Sequence, residues 1–240
     1  MITQDRLQGH WRRDWIKAPG FEDHTTRVHW MQAGELFADL RIPLVRPDVA
    51  GLSCLADLPQ SALASLLASE GFAGHITVEN SQCTWHRAIN WHGVPGQADT
   101  GLMSLSDEGL IEDGVHAEYR ELWQAELGLA LRGTRLRCGD MTGVLIENDD
   151  VFLLGIGPRP EGTTQPLLED LAQGRTDADT LKDLFESEYV MGRWNGPLGT
   201  AQLSTNPFQE GAVVMERAAG YIWHARAWDG SQSARRLEAD

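Results

Sequence analysis

Residues 83 to 92, CTWHRAINWH, divide at the strand period of two: Cys83, Trp85, Arg87, Ile89 and Trp91 share one face, and Thr84, His86, Ala88, Asn90 and His92 share the other. One guanidinium therefore sits among large apolar groups. This constrains the fold strongly, because a buried charge without a partner is too costly to keep. Val115 to Ala125 repeats the pattern with the opposite sign, placing Val115, Ala117, Tyr119, Glu121, Trp123 and Ala125 on one face. Between them Asp99, Gly101, Met103 and Leu105 alternate with Thr100, Leu102 and Ser104. We expect three strands that bring Arg87 against Glu121 or Asp99 inside an aromatic interior. The stretch 83–123 holds three of the nine tryptophans and three of the eight histidines, which makes it the candidate site.

The rest of the chain follows the same grammar. Thr25 to Gln32 and Glu35 to Pro43 form a hairpin around Ala33-Gly34, and further strands follow at Phe72 to Glu79, Thr134 to Cys138, Thr142 to Glu147 and Val151 to Gly157. Val190 to Trp194, Thr200 to Ser204, Ala212 to Arg217 and Tyr221 to Trp228 are closing strands. Two short helices interrupt them. Pro59 to Ser69 carries Leu63, Leu66 and Leu67 at helical spacing, and a second helix after Asp177 or Asp179 buries Leu181, Leu184 and Phe185. With about thirteen short strands and turn signals at barrel spacing, the class is all-β. We expect 1–240 to be a single compact unit, with candidate halves 1–157 and 178–230 joined by a Pro-, Gly- and acid-rich loop at 158–177, and 231–240 as a flexible tail.

Gly9-His10-Trp11 on the first strand, with Arg226 late in the chain, resembles the calycin pattern of lipocalins and their relatives, and Gly192-Arg193-Trp194 supplies a second copy. Length, two helices and two such openings are also similar to a calycin-like family of fungal and bacterial proteins of unassigned activity built from two barrel-like halves. The resemblance implies an antiparallel β-barrel architecture, with Trp11, Trp194 and Arg226 as structural barrel-closing residues. It also implies an interior that receives a small, partly apolar ligand, and it implies no reaction. A lipocalin has one barrel of roughly eight strands, so this chain makes either one enlarged barrel or two fused ones.

Several function classes are disfavoured. A net charge of −15 over 240 residues argues against wrapping nucleic acid or lying on an anionic membrane. No apolar run approaches a membrane helix, and the N-terminus lacks an apolar export region, so Arg12-Arg13 is not read as a twin-arginine signal. Three cysteines, Cys54, Cys83 and Cys138, without a CxxC pair suit a reducing cytoplasm. His86 and His92 stand roughly 20 Å apart along one strand and cannot chelate one ion, and we expect neither a metal nor a cofactor. The chain has no GxSxG, HExxH, GxxxxGK[ST] or complete GxGxxG. Cys83 and His86 fall on opposite faces, so no catalytic residue is assigned.

The expected site is a polar cluster of Arg87, Asp99, Tyr119 and Glu121 walled by Trp85, Trp91, Met103 and Trp123. Its chemistry suits an amphipathic or carboxylate-bearing small molecule, held through Arg87 without catalysis. Two alternatives stand beside it. One is a protein-interaction scaffold with an acidic surface, marked by exposed Trp11, Trp15 or Trp228. The other is an enzyme using Asp99 or Glu121 with a histidine as acid and base.

Overall fold

A computed structural model describes residues 1–126, 130–160, 169–170, 173, 175, 178–217 and 219–240. The chain is all-β, with two short α-helices among the described residues, and its strands close into two antiparallel eight-stranded barrels.

The first barrel runs through β1 (Gly9–Ala18), β3 (Arg27–Ala33), β4 (Leu36–Ile42), β5 (Glu70–Glu79), β6 (Gln82–Asn90), β7 (Asp99–Leu105), β8 (Leu110–Gly114) and β9 (Arg120–Glu126). Pairing of β1 with β9 closes it, while β2 (Phe21–Asp23) folds back on the end of β1. The second barrel takes β10 (Arg132–Cys138), β11 (Met141–Glu147), β12 (Val151–Pro158), β13 (Glu188–Asn195), β14 (Leu198–Ser204), β15 (Val213–Arg217), β16 (Tyr221–Arg226) and β17 (Gln232–Ala239). Closure leaves neither barrel an unpaired edge. Helix α1 (Gln60–Leu66) sits between β4 and β5, and α2 (Ala178–Leu184) between β12 and β13.

Three apolar clusters follow from this arrangement. Trp11, Trp30, Phe37, Phe72, Trp85 and Trp123 belong to the filling of the first barrel, and Phe152, Trp194 and Trp223 belong to that of the second. The third cluster lies between the barrels, where Leu40 and Ile42 of β4 meet Ile146 of β11 and Leu153 of β12, with Leu63, Leu66 and Leu181 of the helices at its margin. Strands β4, β11 and β12 are buried on both faces for this reason: one face fills a barrel, with Asp39 and Arg41 of β4 and Glu147 of β11 on it, and the other glues it to its neighbour.

Three expectations about organisation need correction. The junction between the barrels falls between Glu126 and Arg132, not at 158–177. The Pro-rich stretch is an excursion within the second barrel, since β12 and β13 on either side of it pair directly, Leu154 against Val190. Most of 158–177, including Asp177, lies outside the described residues. Residues 231–240 are not a tail, because β17 pairs with both β16 and β10 and closes the second barrel. Its sequence reads as polar because only Leu237 is buried along it. No helix among the described residues is long and apolar enough to cross a membrane.

Candidate functional site

The alternation that defines β6 breaks once. Gly74 of β5 pairs with Arg87 and Ala73 pairs with Ile89, which leaves Ala88 as an extra residue. A β-carbon at Gly74 would stand 1.9 Å from the His86 carbonyl oxygen, so the bulge needs glycine there. Cys83, Trp85 and Arg87 therefore keep to the barrel side. Ile89 and Trp91 turn outward into the core between the barrels. Trp91 consequently leaves the expected cluster, and it packs edge-on against Tyr189 and Phe185 instead.

Inside the first barrel the remaining residues do converge. Arg87 donates to Asp99 at 2.5 Å and lies 3.5 Å from the centre of the Phe72 ring. Trp30 meets Trp85 and Trp123 edge-on at 5.5 and 5.7 Å. Met103 belongs to the same apolar cluster. Glu121 pairs with Arg13 at 2.7 Å, not with Arg87, and Arg13 also reaches Asp23. Arg41 pairs with buried Asp39, which burial raises above the usual carboxyl range. Tyr119 lies before β9 and donates to Glu112 at 2.7 Å, while the Trp123 indole donates to the other Glu112 oxygen at 3.0 Å. Glu112 stands directly across from Glu121 in the sheet. Burial first, then the charges of Glu121 and Asp99, hold the Glu112 carboxyl well above its ordinary value.

Arg13, Asp39, Arg41 and Glu112 escaped the sequence reading. Glu112 lies in the acid-rich Leu-Ile-Glu-Asp-Gly, which reads as a turn until its apolar positions are paired with β9. Cys83 is buried and its thiol is pushed up by burial, while His86 is exposed on the outer face. The cation over the Trp194 indole is Arg217 of β15, at 4.3 Å from the ring centre, and not Arg226. Trp223 and Ala225 take the inward positions of β16, so Arg226 points outward and bonds the Phe208 carbonyl. Trp11 stacks on Trp30 and donates to the Leu7 carbonyl.

The open space lies beside this cluster. A cleft of about 410 Å³ runs between the barrels, with Gly74, His75 and Arg87 on one side and Arg135, Thr142 and Gly143 on the other. Leu36, Ile89 and Val144 give it an apolar wall, and Arg159 stands at its rim. His75 stacks on His86 with ring centres 4.6 Å apart, and His75, Arg87 and Val94 continue into an adjoining hollow along β6. Arg135 is held by exposed Glu35 at 2.5 Å. Among the described residues no group of three His, Cys, Asp or Glu side chains is placed to hold a metal.

Neither a family model nor a curated protein matches this chain. Among solved structures it is similar to the uncharacterized protein YLR301w of Saccharomyces cerevisiae, at 12% identity over 96% of this chain and 98% of that one, with a TM-score of 0.50. That likeness concerns the fold alone.

Proposed function

We propose that this protein binds, without catalysis, a small amphipathic carboxylate in the cleft between its barrels. The observation that supports it is that three guanidinium groups, Arg87, Arg135 and Arg159, border one cleft in a chain of net charge −15, beside Asp240 and beside His75, whose imidazole burial holds below its ordinary value. A guanidinium forks onto a carboxylate, the apolar wall takes the body of the ligand, and about 410 Å³ is within the range of small-molecule sites. The first barrel's lumen, where the sequence placed the ligand, is occupied by stacked tryptophans and internal ion pairs. Arg87 is the residue common to both readings. The calycin resemblance belongs to the proposal too: its motifs are Gly9 to Trp11, Gly192 to Trp194 and Arg226, and of these Arg226 does not lie over the Trp194 indole.

The other readings have less behind them. Trp11 is buried and Trp15 and Trp228 are half-buried, so the exposed tryptophan patch of a docking scaffold is missing. Of the two carboxylates of the acid–base reading, Glu121 is buried against Arg13 at 2.7 Å, and Asp99, which lines the hollow along β6, is held by Arg87 at 2.5 Å, so both are engaged in ion pairs.

Titration calorimetry with decanoate, decanol and decylamine tests the proposal. Decanoate binds most tightly, and Arg135→Ala and Arg159→Ala each weaken it by roughly tenfold to a hundredfold, as for loss of one charged hydrogen bond. Arg135→Ala breaks only an exposed pair, so the fold survives it. Equal binding of all three compounds, or variants indistinguishable from the parent, sinks the proposal.

A further inference from the structure

The second barrel has a cavity of its own, away from the cleft. At the mouth beside α2, about 140 Å³ is enclosed by Phe185, Glu188, Trp223, Trp228 and Arg235, with Lys182 and Arg226 also lining it. Met141, Glu188, Trp223 and Arg235 reach it from four different strands of the barrel.

Five charged residues line this space, Lys182, Glu186, Glu188, Arg226 and Arg235, and two of them, Glu188 and Arg235, reach it from the barrel strands without meeting. Glu188 is 5% exposed, and its carboxylate accepts only from neutral donors: Trp223 Nε1 at 3.0 Å, Ser204 Oγ at 3.3 Å and Gln209 Nε2 at 3.4 Å. Among the described residues it has no cationic partner. Arg235 lies 5.4 Å from the centre of the Trp223 ring, donates to Ser233 Oγ at 3.2 Å and approaches the Met141 sulfur at 3.7 Å. No described carboxylate pairs with it. A desolvated carboxylate held without a counter-charge is costly, and a guanidinium over an aromatic ring with its fork unfilled is a ready carboxylate receptor. An acid and a base on one barrel interior would ordinarily satisfy each other, yet here the cavity separates them.

We infer that this mouth is a bipolar pocket for a small zwitterion, an α-amino acid or related amino carboxylate. The ammonium group bonds Glu188, the carboxylate bonds Arg235, and a short side chain packs on Trp223 and Trp228. Lys182 and Arg226 at the rim add attraction for the carboxylate end. The small volume excludes long chains, which distinguishes this pocket from the cleft between the barrels. Burial pushes the Glu188 carboxyl up to about 7, so above neutrality it is ionised and able to receive an ammonium group.

Calorimetry at mildly alkaline pH with free alanine, serine, valine and proline, and with their N-acetyl and carboxamide derivatives, tests this on the unaltered protein. At least one free amino acid binds in the micromolar-to-millimolar range, and blocking either end weakens it roughly tenfold or more. Glu188→Gln removes the preference for a free amine and Arg235→Gln the preference for a free carboxylate, while Arg135→Ala leaves binding unchanged. The inference is overturned if no free amino acid gives saturable binding, if the blocked forms bind equally well, or if Arg135→Ala abolishes binding.

Discussion

Glu188 shows how one buried carboxyl sets a pH dependence for the whole chain. Its ordinary value of 4.5 rises to about 7 in the fold because burial outweighs its three hydrogen bonds. Between those values the folded state holds a proton that the unfolded state has released, so stability falls as pH rises from about 4.5 to about 7 and then levels. The loss from this one group is about 3 kcal/mol. Glu188→Gln lacks it. Urea unfolding of both proteins at pH 5 and pH 8 is expected to show the variant gaining on the parent by that order, whereas an unchanged difference refutes the assignment. His10 and His29, in contact at 2.9 Å, are both lowered to about 4 by burial and slope the other way, losing stability as pH falls below 6.5.

Tyr189 poses a packing question at the same scale. It is fully buried between the barrels, and a β-carbon at Gly71 would stand 2.2 Å from its ring. Gly71→Ala is therefore expected to cost about 1–3 kcal/mol through overpacking. The Tyr189 hydroxyl has no hydrogen-bond partner among the described residues. Tyr189→Phe should be neutral or stabilising by up to about 1 kcal/mol, since it removes an unsatisfied polar group. Denaturant midpoints read both, and a stable Gly71→Ala protein would show that this contact is not as tight as described.

Among the elements, strands with strong alternation were legible and strands decided by a partner were not. The hairpin of β3 and β4 stands where Ala33-Gly34 and its flanking apolar residues put it. That Arg87 needs an acid was also readable, because a charge on an apolar face demands a counter-charge nearby; of the two candidates, Glu121 and Asp99, it is Asp99 that Arg87 meets. The Ala88 bulge was not: periodicity carries no sign of an extra residue, so Trp91 was put on the wrong face. β8 and β17 hid for a related reason. Their polar residues face solvent or a buried partner on the next strand, as Glu112 does with Trp123. Removing residues 232–240 tests the status of β17. The truncated chain should lose cooperative unfolding in the second barrel and become protease-sensitive there, because β16 and β10 are left as open edges. Retention of the parent's stability would mean that β17 contributes nothing to closure.

At the scale of the molecule, two barrels pack through the outer faces of β4, β11 and β12, and the cleft is what remains where that packing ends. Sequence reasoning reached the barrel class and the key arginine, but it could not locate the cleft. Arg135 and Arg159 stand 48 and 72 residues beyond Arg87 in the numbering, and only the docking of one barrel on the other brings them together. The most direct measurement of the central claim is a heteronuclear NMR titration of the labelled protein with decanoate. We expect saturable amide shifts at Gly74 and His75 on one barrel and at Arg135, Thr142 and Gly143 on the other, with the Trp30 and Trp123 indole signals unmoved. Shifts centred on those lumen indoles, or no saturable shift at the cleft, would contradict the account.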